Sequence, residues 1–227
     1  MNSFKSFLKR TVEVKVIDTS IDYNEYVALD LSTSNDSLLE VNPKDAAEFE
    51  QYVDSYLLQH KAEVAYGGYN EQRNLYKRSS IFNENNTEER NIHIGMDLWI
   101  AAETSVLAAL DGTIHSFAYN SGLGNYGPTI IVEHQMENHN FHTLYGHLSV
   151  ESIANIAVGD IVKKGVTIGV LGDAAVNGDY APHLHFQIIR EIGDYFGDYP
   201  GVCSKKDLDF YLENCPDPNL LLKIKKT

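Results

Sequence analysis

Pro182-His183-Leu184-His185-Phe186 stands within the run APHLHFQII at residues 181–189. The run is short, apolar and rich in strand-forming residues. Successive side chains of a strand point to opposite faces, so His183 and His185 share one face while Leu184 and Phe186 turn toward a core. Two imidazoles side by side suit a metal ion, or a metal and a reacting water. Upstream, His93-Ile94-Gly95-Met96-Asp97 adds a further imidazole and a carboxylate.

The residues around this run set the fold expectation. From residue 92 onward, short β-favouring segments alternate with turn signals. That pattern predicts a mainly antiparallel sheet folded as a sandwich or barrel. Asp111-Gly112 between VLAAL and TIHSFAY predicts a hairpin, and a polar tip at Glu137 to Asn140 joins YGPTIIVEHQM to FHTLYGHLS. Before residue 92 the chain differs. TVEVKVID at 11–18 alternates like a strand. Asn42 and Pro43 suit the N-cap and first position of a helix, and Ala47, Phe49, Tyr52, Val53, Tyr56 and Leu57 give it an apolar, core-packing stripe. The polar stretch 66–90, carrying Tyr69, Arg73 and Tyr76, reads as a surface loop within reach of a site. The expected fold is mainly β (α+β in all), with a helix-containing extension over 1–90 and a catalytic-type domain over 91–227.

Composition narrows the partners. The 227 residues are 43% hydrophobic, enough for a packed core, and carry a net charge of -14 from 18 basic and 32 acidic residues. An acidic surface argues against nucleic acid and against anionic membranes or wall polymers. No stretch approaches a membrane span. Charged residues interrupt the N-terminal MNSFKSFLKRTVEVKV, which does not look like a secretory leader, so a cytoplasmic location is expected. In such a compartment Cys203 and Cys215 are expected as reduced thiols.

A catalytic zinc commonly takes three protein ligands and keeps a fourth position for water. His93, Asp97 and one of His183 or His185 meet that count. Bound to the ion, the water's pKa falls from about 15.7 to roughly 7. In a flat strand His93 and Asp97 would lie about 13 Å apart, so the chain must bend between them, and Gly95 is the residue that bends without steric cost. His147, after Tyr145-Gly146, can orient a water or support an oxyanion as a neutral imidazole. A lone histidine is more often structural, and His60, His115, His134, His139 and His142 are read that way.

The ordered set His93-Ile94-Gly95-Met96-Asp97, Asp111-Gly112-Thr113, Tyr126-Gly127, Tyr145-Gly146-His147-Leu148-Ser149, Val158-Gly159-Asp160-Ile161-Val162-Lys163-Lys164-Gly165 and Pro182-His183-Leu184-His185-Phe186 resembles the lysostaphin-type zinc metallopeptidases of the M23 family. The resemblance covers about residues 92 to 190. It implies an antiparallel sheet forming a groove, Zn2+ held by His93, Asp97 and His185, and catalytic assistance from His147 and His183. It also implies a peptide or bacterial peptidoglycan fragment as substrate. Two positions depart from the family pattern: Gln187 stands where an acidic residue is common, and the turn Gly172 to Tyr180 differs from the usual small-residue loop. With the charge and the absent leader, the chain looks like a leaderless branch of the family. Two other readings compete: a non-catalytic binding or activator module of the same fold, and a cytosolic zinc hydrolase acting on something other than peptidoglycan. A cupin-like metal enzyme fits poorly, because Ile189 and Arg190 stand where its glutamate belongs.

Overall fold

The computed structural model describes residues 3–42, 45–74 and 89–225. In chain order they form α1 (Ser3–Arg10), β1 (Tyr26–Ala28), α2 (Ala46–His60), β2 (Val64–Gly67), β3 (Glu71–Gln72), β4 (Arg90–His93), β5 (Met96–Trp99), β6 (Ser105–Leu107), β7 (Gly112–Asn120), β8 (Gly127–Met136), β9 (His139–Gly146), β10 (Ile161–Val162), β11 (Thr167–Val170), β12 (His183–Ile189), β13 (Val202–Ser204), α3 (Leu208–Asn214) and α4 (Asn219–Leu222). No helix among the described residues is long and apolar enough to cross a membrane.

The fold is mainly β, as expected. An eight-stranded sheet runs β1-β2-β5-β12-β9-β8-β7-β10, open at β1 and β10 rather than closed into a barrel. Its pairings are antiparallel except the parallel β1–β2 pair. Two smaller sheets, β11-β6 and β13-β4-β3, complete it.

β12 is central and wholly buried, and its two-residue period does the sorting. Leu184, Phe186 and Ile188 enter the main core with Phe141, Tyr145, Ile130 and Leu98. Each such side chain contributes about 1.5–3 kcal/mol by leaving water. His183, His185 and Gln187 take the opposite face, and Ile189 at the far end packs with Ile131 and Leu144. The paired histidines therefore sit on the strand that the core fixes most firmly.

Described segments before residue 91 are built into the same framework. β2 adds to β5, and β3 adds to β4. Phe4, Phe7 and Leu8 of α1 and Val14, Val16 and Ile17 share the main core.

Several local expectations are corrected. Asp111-Gly112 makes no hairpin: β6 pairs with β11, while β7 pairs with β8 and β10. The buried run Ala108–Leu110 carries the chain from one sheet to the other. The Asp111 carboxylate instead accepts from the Lys164 backbone N–H and the Lys163 ammonium, each at 2.9 Å, tying it to the Lys163-Lys164-Gly165 turn. The tip between β8 and β9 is a tight turn with Glu137 and Asn138 both at positive φ, matching hairpin twist. Residues 11–18 form no ladder; a single bridge at Ile17 and two backbone bonds to β6 hold them while their apolar side chains feed the core. The helix begins later than expected. Asp45 caps α2 by accepting from the Glu48 N–H, and Glu48 reaches back to the N–H of Asn42. Pro43 lies outside the described residues. Ala47 is exposed, and Ala46, Phe49 and Val53 make the buried stripe.

Candidate metal centre

Strand register builds the site. His185 in β12 is the cross-strand partner of Asp97 in β5 and of Gly146 in β9, so His147 follows one residue beyond the ladder. β4 ends at His93 and β5 begins at Met96 in a different sheet. The chain does bend at Ile94-Gly95, but the reason for glycine is different from flexibility. Gly95 has no positive φ; the His185 ring fills the space a side chain would need, with Cε1 and Nε2 only 2.4 Å from where a Cβ would stand.

Three donor atoms converge. His93 Nε2 lies 2.9 Å from His185 Nδ1. Asp97 Oδ1 lies 3.3 Å from the first and 3.2 Å from the second. All three residues are buried. Two ligand atoms each about 2.0–2.1 Å from a tetrahedral zinc stand about 3.3–3.4 Å apart, close to this spacing.

The outer partners fix which atoms carry protons. His93 Nδ1–H donates to the Gly68 carbonyl at 2.9 Å, leaving Nε2 with its lone pair. Gln187 donates its NH2 to the Pro200 carbonyl and to Cys215 Sγ, so its Oε1 faces His185 Nε2 at 3.0 Å and accepts that proton. His185 Nδ1 is then the free nitrogen. Two imidazole lone pairs and one carboxylate oxygen face a single point. Without a cation between them they repel, and this donor set fits a divalent metal.

Electrostatics agree. Burial pushes His93 down to about 4 despite the attraction of Asp97, so it is neutral near pH 7. Burial alone would raise the Asp97 carboxyl, but the attraction of His93, which is itself protonated in the acid range where the carboxyl titrates, and of the permanently charged Arg73 guanidinium outweighs it and holds the group well below its ordinary value. Asp97 is therefore an anion in the interior, with Arg73 Nη1 donating to its Oδ2 at 2.6 Å.

His183 and His147 stand beside the triad, their rings 4.2 Å apart. His183 Nδ1–H donates to the Ala181 carbonyl and His147 Nδ1–H to the Asn177 carbonyl, each at 2.8 Å. Each keeps an unprotonated Nε2, and that of His183 lies 3.9 Å from Asp97 Oδ1. Burial lowers both pKa values, that of His147 well below the ordinary range with the neighbouring histidines adding to the effect. His147 holds a φ of 65°, a strained conformation for a non-glycine residue. Backbone bonds to Tyr126 and Gly172 lock it there.

The five residues singled out in the sequence thus come together. His134 instead donates to the Asp111 carbonyl and shares a hydrogen bond with Thr143. His60, His115, His139 and His142 lie elsewhere, at the end of α2, on β7 and at the start of β9. Of the flagged loop residues, Arg73 reaches the site, Tyr69 donates to the Cys215 carbonyl, and Tyr76 lies outside the described residues. Asn177 was missed as a site residue. It is wholly buried, and its side chain holds the Gly172 and Tyr180 carbonyls and the Tyr180 N–H, shaping the turn that positions His147. Only the oddity of that turn hinted at it. Cys203 and Cys215 are buried free thiols. A cavity of about 240 Å³ opens onto the cluster, walled by Phe49, Trp99, Tyr126, Tyr180 and Tyr199.

The chain is similar to known proteins over part of its length. Residues 91–196 match the model of Peptidase family M23. The chain is 33% identical over 113 residues to an uncharacterized metalloprotease of Haemophilus influenzae, covering 48% of this chain and 22% of that protein. It is 34% identical over 98 residues to the peptidoglycan DD-endopeptidase ShyC of Vibrio cholerae, covering 43% of this chain and 20% of that one. The chain thus spans about a fifth of the length of these curated relatives. Among solved structures, the catalytic domain of lysostaphin from Staphylococcus simulans aligns with 27% identity over 53% of this chain and 80% of that domain, at a TM-score of 0.37.

Proposed function

Residues 91–196 belong to peptidase family M23, and from that premise we propose that this chain is a zinc-dependent peptidase hydrolysing an amide bond in a peptide or peptidoglycan fragment. The observation that carries the reading is the convergence of three potential ligand atoms, His93 Nε2, Asp97 Oδ1 and His185 Nδ1, within 2.9–3.3 Å of one another. Their second atoms are all engaged by donors or acceptors of the right kind.

A zinc ion held by these residues supplies a Lewis acid and a water acidic enough to ionise near neutral pH. The flanking histidines handle the proton. His183 and His147 are neutral, and each offers Nε2 as a base because Nδ1 is committed to a carbonyl. Once protonated, the same Nε2 is a donor, able to support an oxyanion or to protonate the departing amine. Trp99 stacks on His183 with ring centroids 5.8 Å apart, and Tyr180 packs edge-on to both histidines, so neither ring is free to turn away. Aromatic walls around a small cavity suit a short peptide segment in extended form. The relationship to a peptidoglycan DD-endopeptidase supports a cell-wall fragment as that segment.

Equilibrium metal binding followed by incubation with glycine-rich peptides, muropeptides and small amides tests the proposal. Wild type should take up one zinc and cleave one of these classes. His185→Ala should lose the metal. His147→Ala should keep it and lose about 10²–10⁴-fold in turnover. A folded wild-type protein that binds no zinc would refute the reading, and metal loss in His147→Ala would refute the division of roles.

A further inference from the structure

We propose that Arg73, which lies upstream of the family-matching segment, is a positioning residue of the metal centre: it occupies one oxygen of Asp97 so that the carboxylate offers only Oδ1 to the ion. This rests on the reading of His93, Asp97 and His185 as ligands.

Arg73 is 1% exposed, an unusual burial for a guanidinium. Nη1 donates to Asp97 Oδ2 at 2.6 Å, and Nε donates to Glu71 Oε2. Glu71 is anchored in turn, its Oε1 accepting from the Leu31 N–H at 3.2 Å. The guanidinium lies 5.7 Å over the Trp99 ring, the same ring that stacks on His183. Arg73 is thus held on three sides: by Glu71, by Trp99 and by Asp97.

Backbone pairing delivers it. β2 places Gly67 opposite Asp97, and β3 places Glu71 opposite His93. The same short segment supplies the Gly68 carbonyl that fixes the His93 tautomer. Gly68 must be glycine: its φ is +98°, and a Cβ there would overlap the Arg73 guanidinium and crowd His93 Nδ1. Residues 68–73 therefore orient two of the three proposed ligands.

The arrangement has a chemical consequence. A carboxylate with both oxygens free can chelate an ion through both and fill the position a reacting water needs. With Oδ2 bound to Arg73, Asp97 presents a single oxygen. Glu71 offsets the guanidinium, so the Glu71–Arg73–Asp97 chain carries a net charge of -1, and Arg73 orients Asp97 without turning the site against a cation. The rigid fork of arginine suits this bridging of two carboxylates better than a lysine ammonium.

Cobalt substitution tests the inference without recourse to activity. Visible absorption of Co2+ weakens as its coordination number rises. Wild-type protein should bind one Co2+ with the intense spectrum of a four-coordinate site. Arg73→Met should show a weaker spectrum and bind the metal about 10–100-fold less tightly, the usual cost of losing an outer-shell partner. Arg73→Lys, which restores one donor to Oδ2, should recover part of both. A folded Arg73→Met protein with the wild-type spectrum and affinity would overturn the proposal. Should that variant not fold, a crystal structure of metal-loaded wild type decides. Asp97 bound through Oδ1 alone, with Nη1 on Oδ2, supports it; Asp97 chelating through both oxygens overturns it. A folded wild type that binds neither Co2+ nor Zn2+ would instead remove the metal reading itself.

Discussion

Replacing Gly95 by alanine perturbs the proposed metal centre by crowding alone. The residue has no positive φ, so alanine brings no backbone strain. A Cβ would lie 2.4 Å from Cε1 and Nε2 of His185 and 3.1 Å from its Nδ1, whereas ordinary contact begins at 3.4 Å. The His185 ring must therefore withdraw by about 1 Å, the difference between 3.4 and 2.4 Å. Its Nδ1 stands 2.9 Å from His93 Nε2 and 3.2 Å from Asp97 Oδ1, and its Nε2 stands 3.0 Å from Gln187. A shift of that size cannot preserve all three. Displacements of about 1 Å in a preorganised site cost on the order of 100-fold, or about 2.7 kcal/mol of metal affinity. Overpacking should also lower stability by about 1–3 kcal/mol. Competition against a chromophoric zinc chelator measures the first quantity and thermal unfolding of the metal-free protein the second. Undiminished affinity in a folded G95A protein would refute the argument that His185 is held by its contact with Gly95.

Other residues make separate claims. Asn177→Ala removes three hydrogen bonds from a buried turn and should cost about 1–3 kcal/mol in stability. It should also lower turnover while leaving zinc stoichiometry at one, because the turn holds His147 and none of the three proposed ligands; loss of metal would contradict this. Buried His134, far from the cluster, has its pKa lowered by burial to about 4, against 6.5 for the ordinary group. Between these values the unfolded chain binds the proton and the folded chain does not, so stability falls as pH drops from about 6.5 toward 4. The contribution of this group is roughly 3 kcal/mol. Denaturant unfolding across that range should show a shallower slope for His134→Gln than for wild type, and equal slopes would exclude the effect.

The sequence carried much of the site. Alternation in APHLHFQII placed His183 and His185 on one face, and the structure puts them there with Leu184 and Phe186 in the core. The donor types and their order along the chain marked His93, Asp97, His147 and the pair His183 and His185 as candidates, while the choice of His185 over His183 as the ligand was implied only by the family resemblance. Turn chemistry was less dependable. Asp111-Gly112 has the composition of a hairpin, yet its carboxylate serves the Lys163-Lys164 turn 52 residues away. Asn42 has the chemistry of an N-cap, but Asp45, three residues later, caps α2. Both errors arise because a local motif can satisfy its hydrogen bonds with more than one partner, and distant contacts choose among them.

Periodicity and residue type are local properties, so the chain alone determined which face of β12 carries imidazoles and which groups can bind a cation. Register between strands is not local. Only pairing in the folded sheet set His185 across from Asp97, brought His93 in from a second sheet, and carried Gly68 and Arg73 from the N-terminal segment to the proposed ligands. The hydrophobic core decides that pairing, because a slip of one residue would turn Leu184, Phe186 and Ile188 out of it and the histidines in.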